Sequence, residues 1–291
     1  MRPLNRAFLI MASLLAASPA WAQDVPPPPQ EEEEIVVTGR QLEDQVRDFV
    51  GALTPTRHVG SNIPRFEEAV CPIVLGLARA QNEAAMARLR AVAAAAGLPV
   101  GSPGCSPNVL LAVTADKQKF IQTVASRFGD SAFGEMTSLQ IRRLARSPGP
   151  SAAWQVTGQL KADGSPAMFG LNRSTQSSSR LRPAARLAFL GSHLVVERKA
   201  LEGLTVTQVA DYAAMRLFAR TDPSRVAGTA PTILTVLEAP MGSAIPITMT
   251  QWDLAFLRGL YASPEDRLAA SQRSEIAKDV QDELSRQRQR E

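Results

Sequence analysis

Gly191-Ser192-His193 sets a hydroxyl beside an imidazole, the two groups that acyl-transfer chemistry uses as nucleophile and general base. The tripeptide falls inside a strand-like run from Arg186 to Arg198. Neighbouring strand residues project to opposite faces, so Ser192 and His193 serve one another only if a bulge at Gly191 re-aims one of them. Without that bulge, His193 is a strand side chain near the core edge. The next candidates stand on a helix-forming stretch downstream. Asp211 and Tyr212 come one turn before Met215 and Arg216, and Tyr212 and Arg216 share a face at i, i+4, suited either to line a pocket or to form a solvated rim. His193, Asp211 and Tyr212 are therefore the candidate catalytic residues, and hydrolysis is the chemistry they would serve. Set against them, the chain has no G-x-S-x-G elbow, no H-E-x-x-H, no phosphate-binding G-x-x-x-x-G-K-[ST] and no G-x-G-x-x-G. A binding or accessory protein without catalysis and without a cofactor is the leading expectation. A hydrolase with a pocket beside helix 205–219 is the alternative.

Cys71 and Cys105 are the only cysteines, and His58 and His193 the only histidines. Their spacings match neither a zinc finger nor a catalytic zinc site, so no metal is expected. What the thiols do depends on compartment. Arg2 and Arg6 precede an apolar run from Ala7 to Ala17, Ser18-Pro19 breaks it, and Ala20-Trp21-Ala22 offers small residues where a signal peptidase reads. The run is about half of the ~20 residues that a spanning helix needs, so residues 1–22 read as a cleavable signal peptide. A periplasmic or secreted location follows as the expectation, and in an oxidising compartment a Cys71–Cys105 disulfide is preferred over two free thiols. Loss of Arg2 and Arg6 lowers the formal charge of +4 by two, which removes any case for a nucleic-acid footprint.

The elements that must position these residues read as α+β. Hydrophobic residues make up 45% of the chain, enough for a sizeable core, but aromatics only 5%, so Ala, Val and Leu must fill much of it. Residues 23–56 are expected to be a disordered Pro/Glu-rich tail, with a short helix over 41–51 that gathers Leu42, Val46, Phe49 and Val50. Helices are expected over 78–96, 116–127, 138–146, 205–219 and from Thr250, with a last one opening at Ser263-Pro264-Glu265-Asp266. Asn108–Thr114 reads as a buried strand, Ala153–Leu160 as a half-exposed one, and Arg186–Arg198 as its antiparallel partner. Residues 170–183 read as a flexible loop, whose Arg173, Arg180 and Arg182, with Arg186, are solvated. The sum is a small, mostly antiparallel sheet of about three strands with six or seven helices. The folded domain is placed at 57–262, with a C-terminal amphipathic helix at 263–291.

Glu34-Ile35-Val36-Val37-Thr38-Gly39-Arg40 resembles the TonB box of TonB-dependent outer-membrane receptors. That resemblance implies contact with the periplasmic domain of TonB by strand addition, with Ile35, Val36, Val37 and Thr38 as the partner-binding residues. Their strand propensity agrees with it. Nothing after this segment resembles a receptor, and the apolar helices contradict a barrel. Residues 57–262 look like a group of uncharacterised exported alphaproteobacterial proteins. Val70-Cys71-Pro72, Pro103 to Asn108, Ala210 to Met215, and Trp252-Asp253 through Leu260-Tyr261 carry that likeness, which implies no activity. A remoter similarity, in the strand-then-helix order of 187–219, is to metzincin-like peptidases. There Gln208, Asp211, Tyr212 and Met215 stand where zinc ligands belong, which implies a peptidase relative that has lost its metal.

Overall fold

Strand β4 (Arg186–Glu197) sorts its side chains between two cores. Leu194 and Val196 enter one cluster, while Val195 enters the other. The computed structural model that shows this describes residues 31–55, 61–161, 186–226, 228, 230–240 and 242–290, the first ten of them in backbone alone. The sheet runs in the order β1-β2-β4-β3, with β1 Pro72–Leu75, β2 Val109–Thr114 and β3 Ser151–Leu160. β1 pairs parallel with β2 and β2 parallel with β4, while β3 and β4 pair antiparallel as expected.

The α+β class therefore holds, with two corrections. There are four strands rather than three, and the sheet is mixed rather than mostly antiparallel. β1 is four residues long, too short to display an alternation of its own, and it opens at Pro72, directly after Cys71, where the sequence reads as a loop. Parallel pairing needs a crossover, and helix α2 (Arg79–Ala95) supplies it between β1 and β2. The β3–β4 ladder shifts register so that Val156 faces Gly191 while Thr157 faces Phe189. Leu190 is the extra residue, and the bulge stands beside Gly191, where the glycine had pointed.

One face of the sheet is covered by α3 (Lys117–Phe128), α4 (Asp130–Phe133) and α5 (Ser138–Ala145). Ile121, Phe133 and Ala145 meet Ala112, Ala152, Trp154 and Val195 there. The other face meets α2 and α6 (Val206–Phe218), with α1 (Glu31–Leu53), α7 (Gln251–Ala262) and α8 (Ala269–Arg288) completing the larger cluster. Eight helices are present among the described residues, one more than the upper expectation. The addition is α4, a single turn after Gly129, whose positive φ of 52° ends α3.

The domain limits also change. Residues Gly39–Glu291 form one compact unit, separate from Met1–Thr38. The tail does not reach residue 56, because Leu42, Val46, Phe49, Val50 and Leu53 are buried in the main cluster, on the face their spacing defines. Phe49 stands edge-on to Trp252 and Phe256 at 5.5 and 6.3 Å. The C-terminal helix starts at Ala269 rather than Ser263, and it belongs to the same core through Ile276, Val280 and Leu284. The Ser263 hydroxyl instead donates to the Leu260 carbonyl at the end of α7 and accepts from Arg65. Residues 1–22, 23–30 and 170–183, and with them the expected leader, the first part of the expected tail and the arginine loop, lie outside the described residues. Among the described residues no helix is long and apolar enough to cross a membrane.

The cysteines are joined. The Cys71–Cys105 disulfide, with Cα atoms 6.0 Å apart, ties the start of β1 to the loop before β2. Asn108 reinforces the tie: its Oδ1 accepts from the Cys71 amide at 2.7 Å and its Nδ2 donates to the Ala69 carbonyl at 3.0 Å.

Candidate functional site

His193 projects from β4 onto the α3–α5 side. Its ring lies flat on Trp154, centroids 4.9 Å apart and planes 8° from parallel, and Phe133 stacks on Trp154 at 5.0 Å. Trp154 is fixed in turn by its indole N–H, which donates to the Ala132 carbonyl at 2.8 Å. The imidazole Nδ1 is buried without a hydrogen-bond partner. Burial in this apolar stack pulls the His193 pKa down to about 4, so the ring is neutral at pH 7. Ser192 turns to the opposite face, as its neighbour in the strand must, and its Oγ also lacks a partner. The bulge at Leu190 lies on the far side of Gly191 and leaves this alternation intact. Ser192 and His193 therefore form no nucleophile–base pair.

Asp211 and Tyr212 belong to α6, on Ser192's side of the sheet. The Asp211 carboxylate is fully buried and receives an arginine fork: Arg88 Nε donates to Oδ1 at 2.7 Å and Nη2 to Oδ2 at 3.0 Å. The Thr248 hydroxyl and the Met249 amide each donate to Oδ2 at 2.7 Å. Asp211 thus joins α2, α6 and the segment before α7, with its lone pairs taken. Tyr212, 2% exposed, exchanges a 2.7 Å hydrogen bond with the Ser151 hydroxyl at the start of β3, and burial raises its pKa. Arg216 does share its face but lines no rim: it is buried and donates to the Thr221 carbonyl, closing the C-terminal end of α6. Gln208 completes the helix's capping box with Thr205 and donates to the Pro246 carbonyl. The structure does not bring His193, Asp211 and Tyr212 together. A sheet separates the first from the other two.

Asp211, Tyr212 and Gln208 on α6 each have a structural partner distant in sequence, which the sequence hid, while Arg216 is held through Nη1 with its Nε buried and unpartnered among the described residues. Arg88 and Asp211 are 123 residues apart, Tyr212 and Ser151 are 61 apart. Arg186 likewise leaves the basic group expected of it and pairs with Glu67 through bonds of 2.8–3.1 Å. Arg173, Arg180, Arg182 and His58 lie outside the described residues.

A cleft does open at the C-terminal end of α6. It is shallow, with a cavity volume of about 40 Å³, and Leu53, Ile63, Leu187, Phe256 and Leu260 form its apolar walls. Its polar lining is Thr54, Ser61, Asn62 and Arg220. Asn62 is consumed there in a strand-like bridge, donating from Nδ2 to the Leu187 carbonyl at 2.9 Å and accepting the Leu187 amide at 2.7 Å. Arg220 stands 5.9 Å over the Phe189 ring. The cleft holds neither His193 nor Asp211, and its described lining has no carboxylate to act as a base. Among the described residues no group of three or more His, Cys, Asp or Glu side chains is placed to hold a metal ion.

Ile35, Val36, Val37 and Thr38 fall within the first turns of α1, in helical rather than extended backbone. The residues from Leu42 onward anchor that helix. Comparison with protein-family models, with curated proteins and with solved structures finds no match to this chain.

Proposed function

We propose that this chain is an exported cell-envelope protein that works by binding, and that Ile35–Thr38 adds as a strand to the periplasmic domain of TonB. The observation that carries the reading is the position of that segment. It occupies the helical turns before Gly39, ahead of the first core anchor at Leu42, so it can leave the helix without opening the core. Four residues of modest helix propensity followed by a mid-helix glycine make those turns weak, Gly39 alone costing about 1 kcal/mol relative to alanine. The same β-branched side chains favour an extended strand against an exposed sheet edge. The disulfide and the leader-like N-terminus support export.

A peptide covering residues 31–40 is expected to bind a TonB C-terminal domain, with amide shifts along one sheet edge in an NMR titration. I35D/V37D abolishes the shifts. Undetectable binding of the unmutated peptide at millimolar concentration would overturn the reading. The hydrolase alternative, including a metal-less metzincin relative, finds no support in the site geometry: Asp211 and Gln208 are engaged in packing contacts and His193 faces the other side of the sheet.

A further inference from the structure

Helix α5 offers a different surface. Leu139, Arg142, Arg143 and Arg146 recur at i, i+3, i+4 and i+7, and all four are exposed. The opposite face, with Ile141, Leu144 and Ala145, packs into the smaller core. Among the described residues none of the three arginines has an acidic or hydrogen-bonding partner for its guanidinium, in contrast to Arg88, Arg186 and Arg258 elsewhere. Helix α3 packs beside α5 and ends in Arg127-Phe128, where Arg127 also has no partner among the described residues and Phe128 is 60% exposed. Leu139 is 49% exposed. From Met136 to Pro150 there is no acidic residue at all.

We infer that the α3–α5 face is a docking surface for an anionic phospholipid membrane. Charge complementarity selects an anion, since four free guanidinium groups present forked donors that match phosphate oxygens. The apolar residues select lipid over a soluble polyanion. Leu139 shares the α5 face with the arginines and Phe128 is exposed at the end of the neighbouring α3, and that combination of cationic and large apolar side chains is what seats a helix at the boundary between headgroups and acyl chains. An acidic polypeptide or nucleic acid would engage the arginines and leave those two side chains in water.

The test is co-sedimentation of the chain from Gln23 onward, which contains the whole compact unit Gly39–Glu291, with vesicles of phosphatidylglycerol or of phosphatidylcholine. Binding is expected to phosphatidylglycerol alone, and to weaken in about 1 M salt, where the screening length is ~3 Å. R142E/R143E/R146E is expected to lower the partition coefficient by about 100-fold or more. F128S/L139S is expected to lower it as well, with circular dichroism of each variant unchanged because all the altered side chains are exposed. No binding to phosphatidylglycerol, or binding that survives the charge reversal, overturns the inference. So does a F128S/L139S protein that binds vesicles undiminished and binds heparin as tightly, which would mark the face as a site for soluble polyanions.

Discussion

His193 stacks on Trp154 with the two rings 8° from parallel, and nothing polar reaches its buried Nδ1. Protonation of that ring is therefore a folding event. Its pKa near 4 in the folded chain lies below the unfolded value near 6.5, so the unfolded state binds the extra proton first. The stabilisation is fully present above pH 6.5, falls as the pH drops from 6.5 toward 4, and changes no further below that. The span corresponds to about 3 kcal/mol. Urea titrations across this window are expected to show the loss, accompanied by a change in Trp154 fluorescence. H193F, which preserves a stacked ring without the proton, is expected to remove most of the slope. A slope unchanged in H193F would show that other groups set it.

The Arg88–Asp211 pair makes an asymmetric prediction. Asp211 is wholly buried while Arg88 is 37% exposed. R88M strands a carboxylate away from water and is expected to cost about 3–5 kcal/mol. D211N keeps an oxygen for Thr248 and Met249 and leaves an arginine that water can reach, so its cost is expected to be about 1–3 kcal/mol. Equilibrium denaturation of the two variants checks the order, and D211N more damaging than R88M would contradict this account.

How legible these roles were depended on sequence distance. The helical stripes over α1, α2 and α6, the strand alternation of β3 and the bulge beside Gly191 are local patterns, and the chain folds as they indicate. The parallel order β1-β2-β4 is a matter of long-range pairing, and β1 is too short to announce itself. The partners of the candidate residues are hidden for a related reason. Asp211 and Tyr212 carry chemically capable groups, and residue type cannot tell a catalytic carboxylate from one neutralised by an arginine on another helix. Ser263-Pro264-Glu265-Asp266 has the composition of a helix start, yet the Ser263 hydroxyl closes the preceding helix, because Arg65 and Leu260 are there to take it.

The disulfide closes a loop of 34 residues and pins the strand that the sequence conceals. On chain-entropy grounds the double variant C71A/C105A is expected to lose about 3–4 kcal/mol. Reduction of the unmodified protein by dithiothreitol is expected to lower its urea midpoint by a similar free energy and to leave the double variant unaffected. A reductant effect of equal size in the variant would place the stabilisation elsewhere.

The boundary between tail and fold gives the last expectation. Phe49 is fully buried, edge-on to Trp252 and Phe256, and within seven residues of four other anchors on the same helix, Leu42, Val46, Val50 and Leu53. F49A removes a ring from the centre of the main core and is expected to cost about 3–5 kcal/mol. V36D/V37D alters residues before the compact unit begins, and its stability is expected to stay within about 0.5 kcal/mol of the parent. Deletion series make the same division: removal through Arg40 keeps cooperative unfolding, while removal through residue 56 takes away Leu42, Val46, Phe49, Val50 and Leu53 together and abolishes it. The contrast matters for the TonB proposal, since a strand can be donated only by a segment whose departure leaves the fold standing. Cooperative unfolding that persists after the longer deletion would return the tail to residue 56. Loss of cooperativity after the shorter one would tie Ile35–Thr38 into the core and remove the ground on which the proposal stands.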